Sequence, residues 1–152
     1  MLPTENIAPV TGDMRAPDLL FDIIKGIENV NYIDGRWDKT QDVEEGDWVC
    51  ATANGFEAPG TTAKMAFPVV TGNNRYDAIA TGNVTIADCP GMIFQTKKFV
   101  PGSYVVGQAL TVKDLGNGEK IPSAAGSSDQ VCGRVFAMDA AKGVMQILVV
   151  QN

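Results

Sequence analysis

Nucleophilic, acid–base and metal chemistry draw on thiols, imidazoles and converging carboxylates, and this chain supplies them unevenly. It contains no histidine, which removes the commonest general base, metal ligand and pH switch. A Ser–His or Cys–His nucleophile pair is therefore impossible within one chain. The three cysteines, Cys50, Cys89 and Cys132, are far apart, form no C-x-x-C and lie in or beside apolar runs. They read as buried free thiols of a reducing compartment, not as a disulfide framework.

Carboxylates are the remaining reactive groups. Asp34, Asp38, Asp42, Glu44, Glu45 and Asp47 cluster in sequence, but their spacing does not match an EF-hand loop. A solvated acidic face is the expectation, and neither a metal nor a cofactor is implied. Gly116-Asn117-Gly118 and Gly72-Asn73-Asn74-Arg75 superficially suggest phosphate loops. Neither opens a helix or fits a nucleotide fingerprint, so both read as turns. Lys97-Lys98 is the only basic pair, and in an extended strand the two side chains point to opposite faces. Trp37 and Trp48 flank the acidic stretch. They are candidate interface or sugar-stacking residues, with core packing as the alternative.

The elements that would position these groups are mostly strands. The chain has 152 residues and 16 glycines, which suits one domain with many turns. A glycine-punctuated unit occurs twice: Glu45-Gly46-Asp47-Trp48-Val49 with Asn54-Gly55-Phe56-Glu57-Ala58-Pro59, and Val106-Gly107-Gln108 through Val112 with Asn117-Gly118 through Ala124. It is read here as shared turn chemistry inside one domain. Met65–Val70 contains Pro68, which predicts an edge strand or a bulge. Met92–Val100 alternates as a strand should. The chain closes on a predicted hairpin, Val131–Met138 and Val144–Val150 around a turn at 139–143.

The N-terminal third is different. Residues 1–17 hold Pro3, Pro9, Gly12 and Pro17 without apolar periodicity and read as an extended arm, with Pro3, Ile7, Pro9 and Val10 as candidate contact residues. Leu20, Ile23, Ile24 and Ile27 follow helical spacing, so 18–30 is predicted to be a short helix, with a strand as the alternative because Ile and Phe are strand formers. The expected fold is all-β, a small β-barrel or sandwich at 32–152, preceded by an arm with one short helix at 1–31.

Charge narrows the partners. The net charge is −6, and residues 1–50 carry eleven acids against four bases. Nucleic-acid binding is not expected, because phosphate contacts need clustered Lys and Arg. No stretch suits a membrane span, and the first ten residues lack the features of a signal peptide.

One resemblance adds to this reading. Gly107-Gln108-x-Leu110-Thr111-Val112, Lys120-Ile121-Pro122-Ser123-Ala124, Val131-Cys132-Gly133-Arg134-Val135-Phe136-Ala137 and Gly143-Val144-x-Gln146-Ile147 form an ordered series. Over roughly 104–150 it resembles the small head-decoration, or cement, proteins of tailed bacteriophages, with a weaker echo at 45–60. The resemblance implies a non-enzymatic virion structural protein. Such a protein binds the major capsid protein as a trimer or dimer on the shell surface, after assembly in the host cytoplasm. A tail-tube or head-fibre subunit, a carbohydrate-binding β module using Trp37 or Trp48, and a carboxylate-based hydrolase are the competing readings.

Overall fold

The computed structural model describes residues 21–25 (as backbone), 31–37, 41–73, 82–88 and 90–150. They contain eleven strands: β1 (Phe21–Lys25), β2 (Asn31–Arg36), β3 (Trp48–Thr52), β4 (Gly55–Glu57), β5 (Ala66–Thr71), β6 (Asn83–Asp88), β7 (Ile93–Thr96), β8 (Ala109–Thr111), β9 (Ser123–Ala124), β10 (Gly133–Asp139) and β11 (Val144–Val149). Two antiparallel sheets result, ordered β2-β6-β5-β3-β4 and β1-β7-β11-β10-β8-β9. They pack as a sandwich and do not close into a barrel.

The all-β expectation holds. The helix expectation does not. Phe21–Lys25 is a strand, paired antiparallel with β7 through Phe21↔Thr96, Asp22↔Gln95 and Ile23↔Phe94. A short run of Phe and Ile satisfies helical spacing and strand propensity equally, and here the edge of the larger sheet decides. The rest of 18–30, and the arm at 1–17, lie outside the described residues. Pro68 sits not on an edge but in β5, between β6 and β3. The predicted irregularity is beside it, as a register shift between Val69 and Thr71. The closing hairpin forms as expected, turned by Gly143 at φ 66 with Asp139 Oδ1 accepting the Lys142 amide at 3.2 Å.

The paired glycine unit extends much further than its sequence signal. Strands β2 to β6 and strands β7 to β11 form sheets with the same order, β2-β6-β5-β3-β4 matching β7-β11-β10-β8-β9. The registers match too. Cys50↔Glu57 and Trp48↔Pro68 in the first unit correspond to Thr111↔Ser123 and Ala109↔Arg134 in the second. Ile33↔Ile86 corresponds to Phe94↔Ile147. Even the bulge recurs: the shift between Val69 and Thr71 has its counterpart between Val135 and Ala137. Gly46 and Gly107, at φ 92 and φ 90, lead into the fourth strand of each order, β3 and β8, from a left-handed conformation that favours glycine.

Two hydrophobic clusters follow. In the first unit Val49, Val69, Val84 and Ile86 bury one sheet face together with Trp37 and Phe56. Their counterparts in the second, Leu110, Val135, Met145 and Ile147, instead receive Trp48, Cys50, Ala66 and Ala87 from the opposite face of the first sheet. The units are thus joined back to front, with the Trp48 and Phe94 rings 5.6 Å apart at the seam.

Candidate functional site

Trp37 and Trp48, expected as possible surface rings, are in the interior, with exposures of 6% and 0%. Trp48 packs in one hydrophobic cluster and Trp37 in the other, so neither offers a ring face for sugar stacking. Trp37 donates its Nε1–H to the Gln41 carbonyl at 2.8 Å. Trp37 also forms part of the wall of a shallow cleft of about 340 Å³ with Arg36, Thr52, Asn54 and Phe56. Pro3, Ile7, Pro9 and Val10 lie outside the described residues.

The polar groups are engaged in holding the fold. Asp47 is buried, and Lys98 Nζ reaches its Oδ1 at 2.8 Å and Glu44 Oε1 at 2.9 Å, strapping the second unit to the first. Burial alone would lower the Lys98 pKa, but hydrogen bonds and charge from Asp47 and Glu44 outweigh it and raise it above the ordinary value. Asn73 is buried; its Oδ1 accepts the Val43 amide at 2.8 Å and its Nδ2 donates to the Gln41 carbonyl at 3.0 Å. Gly116 and Gly118 belong to a turn, their amides donating to Asp114 Oδ1 at 2.8 Å each; those amides lower the Asp114 pKa. Asn74, Arg75 and Asp38 lie outside the described residues. Among the described residues no group of three or more His, Cys, Asp or Glu could hold a metal. Cys50 and Cys132 are buried free thiols. Burial pushes Cys132 up to about 12, which leaves it protonated and unreactive at neutral pH.

What the surface does offer is apolar. Val105 is 68% exposed and Val106 52% exposed, at a turn that introduces β8. That turn is fixed at every corner. The Gly107 amide donates to the Val135 carbonyl at 2.7 Å and the Gln108 amide to the Val105 carbonyl at 3.0 Å. The Val105 amide donates to Gln108 Oε1 at 3.0 Å, and Arg134 Nη1 to the Gly107 carbonyl at 3.0 Å. The first unit makes the same turn, with Gly46 donating to Val69 at 2.9 Å and Asp47 to Glu44 at 3.0 Å, and the Glu44 amide donating to Asp47 Oδ2 at 2.9 Å. There the two tip residues are Glu44 and Glu45. Turns select Gly, Asn, Asp and Ser, so paired valines on a rigid tip are out of place unless something covers them. Their β-branched side chains have little rotamer freedom left to lose on contact.

The second apolar feature is β2, an edge strand. Tyr32 and Ile33 are 52% and 42% exposed, and every β2 residue except the half-buried Gly35 is exposed. Sequence reasoning passed over all four residues. Val105-Val106 directly before a Gly-Gln turn was the one readable signal.

A groove of about 440 Å³ lies between the 100–104 loop and the Lys113–Asp129 ion pair, with Ser123 and Leu115 in its walls. The pair is close, 2.9 Å, and with the Gly126 amide it lowers the Asp129 pKa. No family model matches the chain, and no curated protein matches it.

Proposed function

We propose that this chain is a non-enzymatic structural protein of a tailed-bacteriophage virion, one that binds the major capsid protein on the outer capsid surface and stabilises the head. The observation that carries this reading is the Val105–Val106 tip: an apolar pair held in one conformation by four hydrogen bonds, on the segment that resembles the decoration proteins. Rigid apolar contacts are the kind that bind at low entropic cost. The absence of histidine and the burial of Cys50 and Cys132 support a role in binding over one in chemistry. The decoration reading places the protein on the assembled shell, and the N-terminal residues 1–17 extend its contact with neighbouring subunits.

Co-sedimentation with purified expanded capsids tests the proposal. The wild-type protein pellets with capsids. Val105→Asp/Val106→Asp keeps its melting temperature, because both side chains are exposed, and loses at least tenfold in capsid affinity. Removal of residues 1–17 weakens binding while leaving the sheets folded. A wild-type protein that stays in the supernatant overturns the reading. Assembly of the pure protein into tubes or rings, seen by negative-stain microscopy, would favour a tail-tube subunit instead.

A further inference from the structure

Among the described residues, the correspondence between the units exposes an unfilled position. The counterpart of β2 is β7, and the two strands meet opposite fates. Every residue of β7 is buried, with Ile93 at 6% and Phe94 at 0% exposed. Their counterparts Tyr32 and Ile33 are 52% and 42% exposed. The cross-strand pair Gln95 and Gln146 is buried at 0% exposure, whereas its counterpart, Asp34 with the Thr85 hydroxyl donating to it, is exposed. The backbone accounts for part of the difference. The free edge of β7 is covered by β1, which places Ile23 opposite Phe94. Among the described residues β2 pairs with β6 alone. Near its end β2 runs against β4, where a methyl on Gly55 would stand 2.6 Å from the Arg36 carbonyl oxygen, so the open part is Asn31–Asp34.

We infer that β2 is a self-association edge, covered by β2 of a second copy of this chain across a two-fold axis at Ile33. Antiparallel strands related by a two-fold perpendicular to the sheet must pair a residue with its own copy. Centring on Ile33 sets Ile33 opposite its symmetry mate and Tyr32 opposite Asp34 of the second copy. An isoleucine thus stands opposite position 33, as Ile23 stands opposite the matching Phe94. The phenol meets a carboxylate acceptor, and the Asp34 carboxylates do not face each other. Centring one residue later would oppose Asp34 to itself, and like charges directly opposite destabilise a sheet. The contact is isologous and closes as a dimer, joining two five-stranded sheets into one. An open edge of this kind is a hazard unless a partner covers it. A pairing this short buries less than the ~1,200 Å² of a standard stable interface, so the dimer is concentration-dependent. The inference does not rest on capsid binding.

Sedimentation equilibrium on the full chain tests it without capsids. The wild-type protein shifts from the 16.1 kDa monomer mass towards twice that value as concentration rises. Ile33→Lys keeps the circular-dichroism spectrum and melting temperature but weakens dimerisation at least tenfold. Ile33→Cys, oxidised with copper phenanthroline, gives a dimer on non-reducing gels that Arg36→Cys does not. A monomer at all concentrations up to about 1 mM, or an Ile33→Lys protein that dimerises like wild type, overturns the inference.

Discussion

The two units share a backbone plan and differ in what covers their equivalent faces. The first unit closes its face with its own aromatic side chains, Trp37 and Phe56. The second leaves its face to be filled by the first unit's back, led by Trp48. At the Trp48 position the second unit has Ala109, and at the Trp37 position it has Lys98. One end of the stack is therefore plugged and the joint is filled by a bulky residue used once, much as terminal repeats of stacked proteins carry capping residues. A common strand order fixes where side chains point; which residues stand there decides whether a face is an end or a joint.

Exchanging equivalent residues breaks this relation most directly at the seam. Trp48→Ala gives the first unit what the second has, and removes a side chain of 0% exposure. Destabilisation of about 4 kcal/mol is expected from the loss of transfer energy and the cavity left behind. Urea denaturation measures it, and a change under 1 kcal/mol would mean that the seam does not hold the units together.

Gly133 comes next. Its counterpart is Phe67: Phe67 stands opposite Val49 as Gly133 stands opposite Leu110. A Cβ on Gly133 would lie 2.7 Å from Ile147 Cγ2 and 2.9 Å from the Leu148 carbonyl oxygen. The second of these is backbone and cannot step aside, so Gly133→Val should cost about 3 kcal/mol. An unchanged melting temperature contradicts the packing described.

Lys98→Met removes the strap between the units and leaves Asp47 buried without its cation. The side chains of Lys98 and Asp47 are 16% and 10% exposed, so the loss is a solvent-discounted version of a buried pair, about 2 kcal/mol. Part of it should return in Lys98→Met/Asp47→Asn. A double variant no better than the single one argues against the strap.

The smallest effect sharpens the relation through pH. Burial raises Cys132 from 9.0 to about 12, so above pH 9 the unfolded chain loses a proton that the folded chain keeps. That stabilisation is complete below pH 9 and is lost as pH rises towards the folded value. One proton corresponds to a fall of about 1.4 kcal/mol per pH unit within this window. Cys132→Ala, which installs the residue found at the equivalent Ala66, should flatten the slope by nearly that amount in denaturation curves between about pH 10 and 11 and leave it unchanged at pH 8. An identical slope would place the titration elsewhere.

Much of the sheet structure was legible in the residues. The closing hairpin follows from alternation and from a turn whose glycine takes φ 66, and Gly46 and Gly107 marked both units. The extent of the likeness was not legible, because equivalent positions carry unlike residues: Trp48 and Ala109, Phe67 and Gly133, Trp37 and Lys98. Hydrogen-bond register is a backbone property, and side chains record only the face each one meets. Phe21–Lys25 failed for another reason. Five residues carry too little periodicity to separate helix from strand, and the edge they join is distant in sequence. For Trp37 and Trp48 the residues left interface and core packing both open, because acids flank them in sequence, and burial decides for the core. The Val105–Val106 tip and the open Asn31–Asp34 edge depend on exposure, which no local pattern reports.

The two tryptophans, the only ones in the chain, also make the molecule its own spectroscopic probe. Each belongs to a different cluster. Trp48 Nε1 is buried with no hydrogen-bond partner, whereas the Trp37 indole is bonded to a carbonyl. An indole in an apolar site emits at shorter wavelength than one with a polar partner, so single-tryptophan variants would report separately on the joint and on the plugged end. Coincident transitions would show the two units melting as one cooperative body, and a red shift confined to Trp48 would catch the joint opening first.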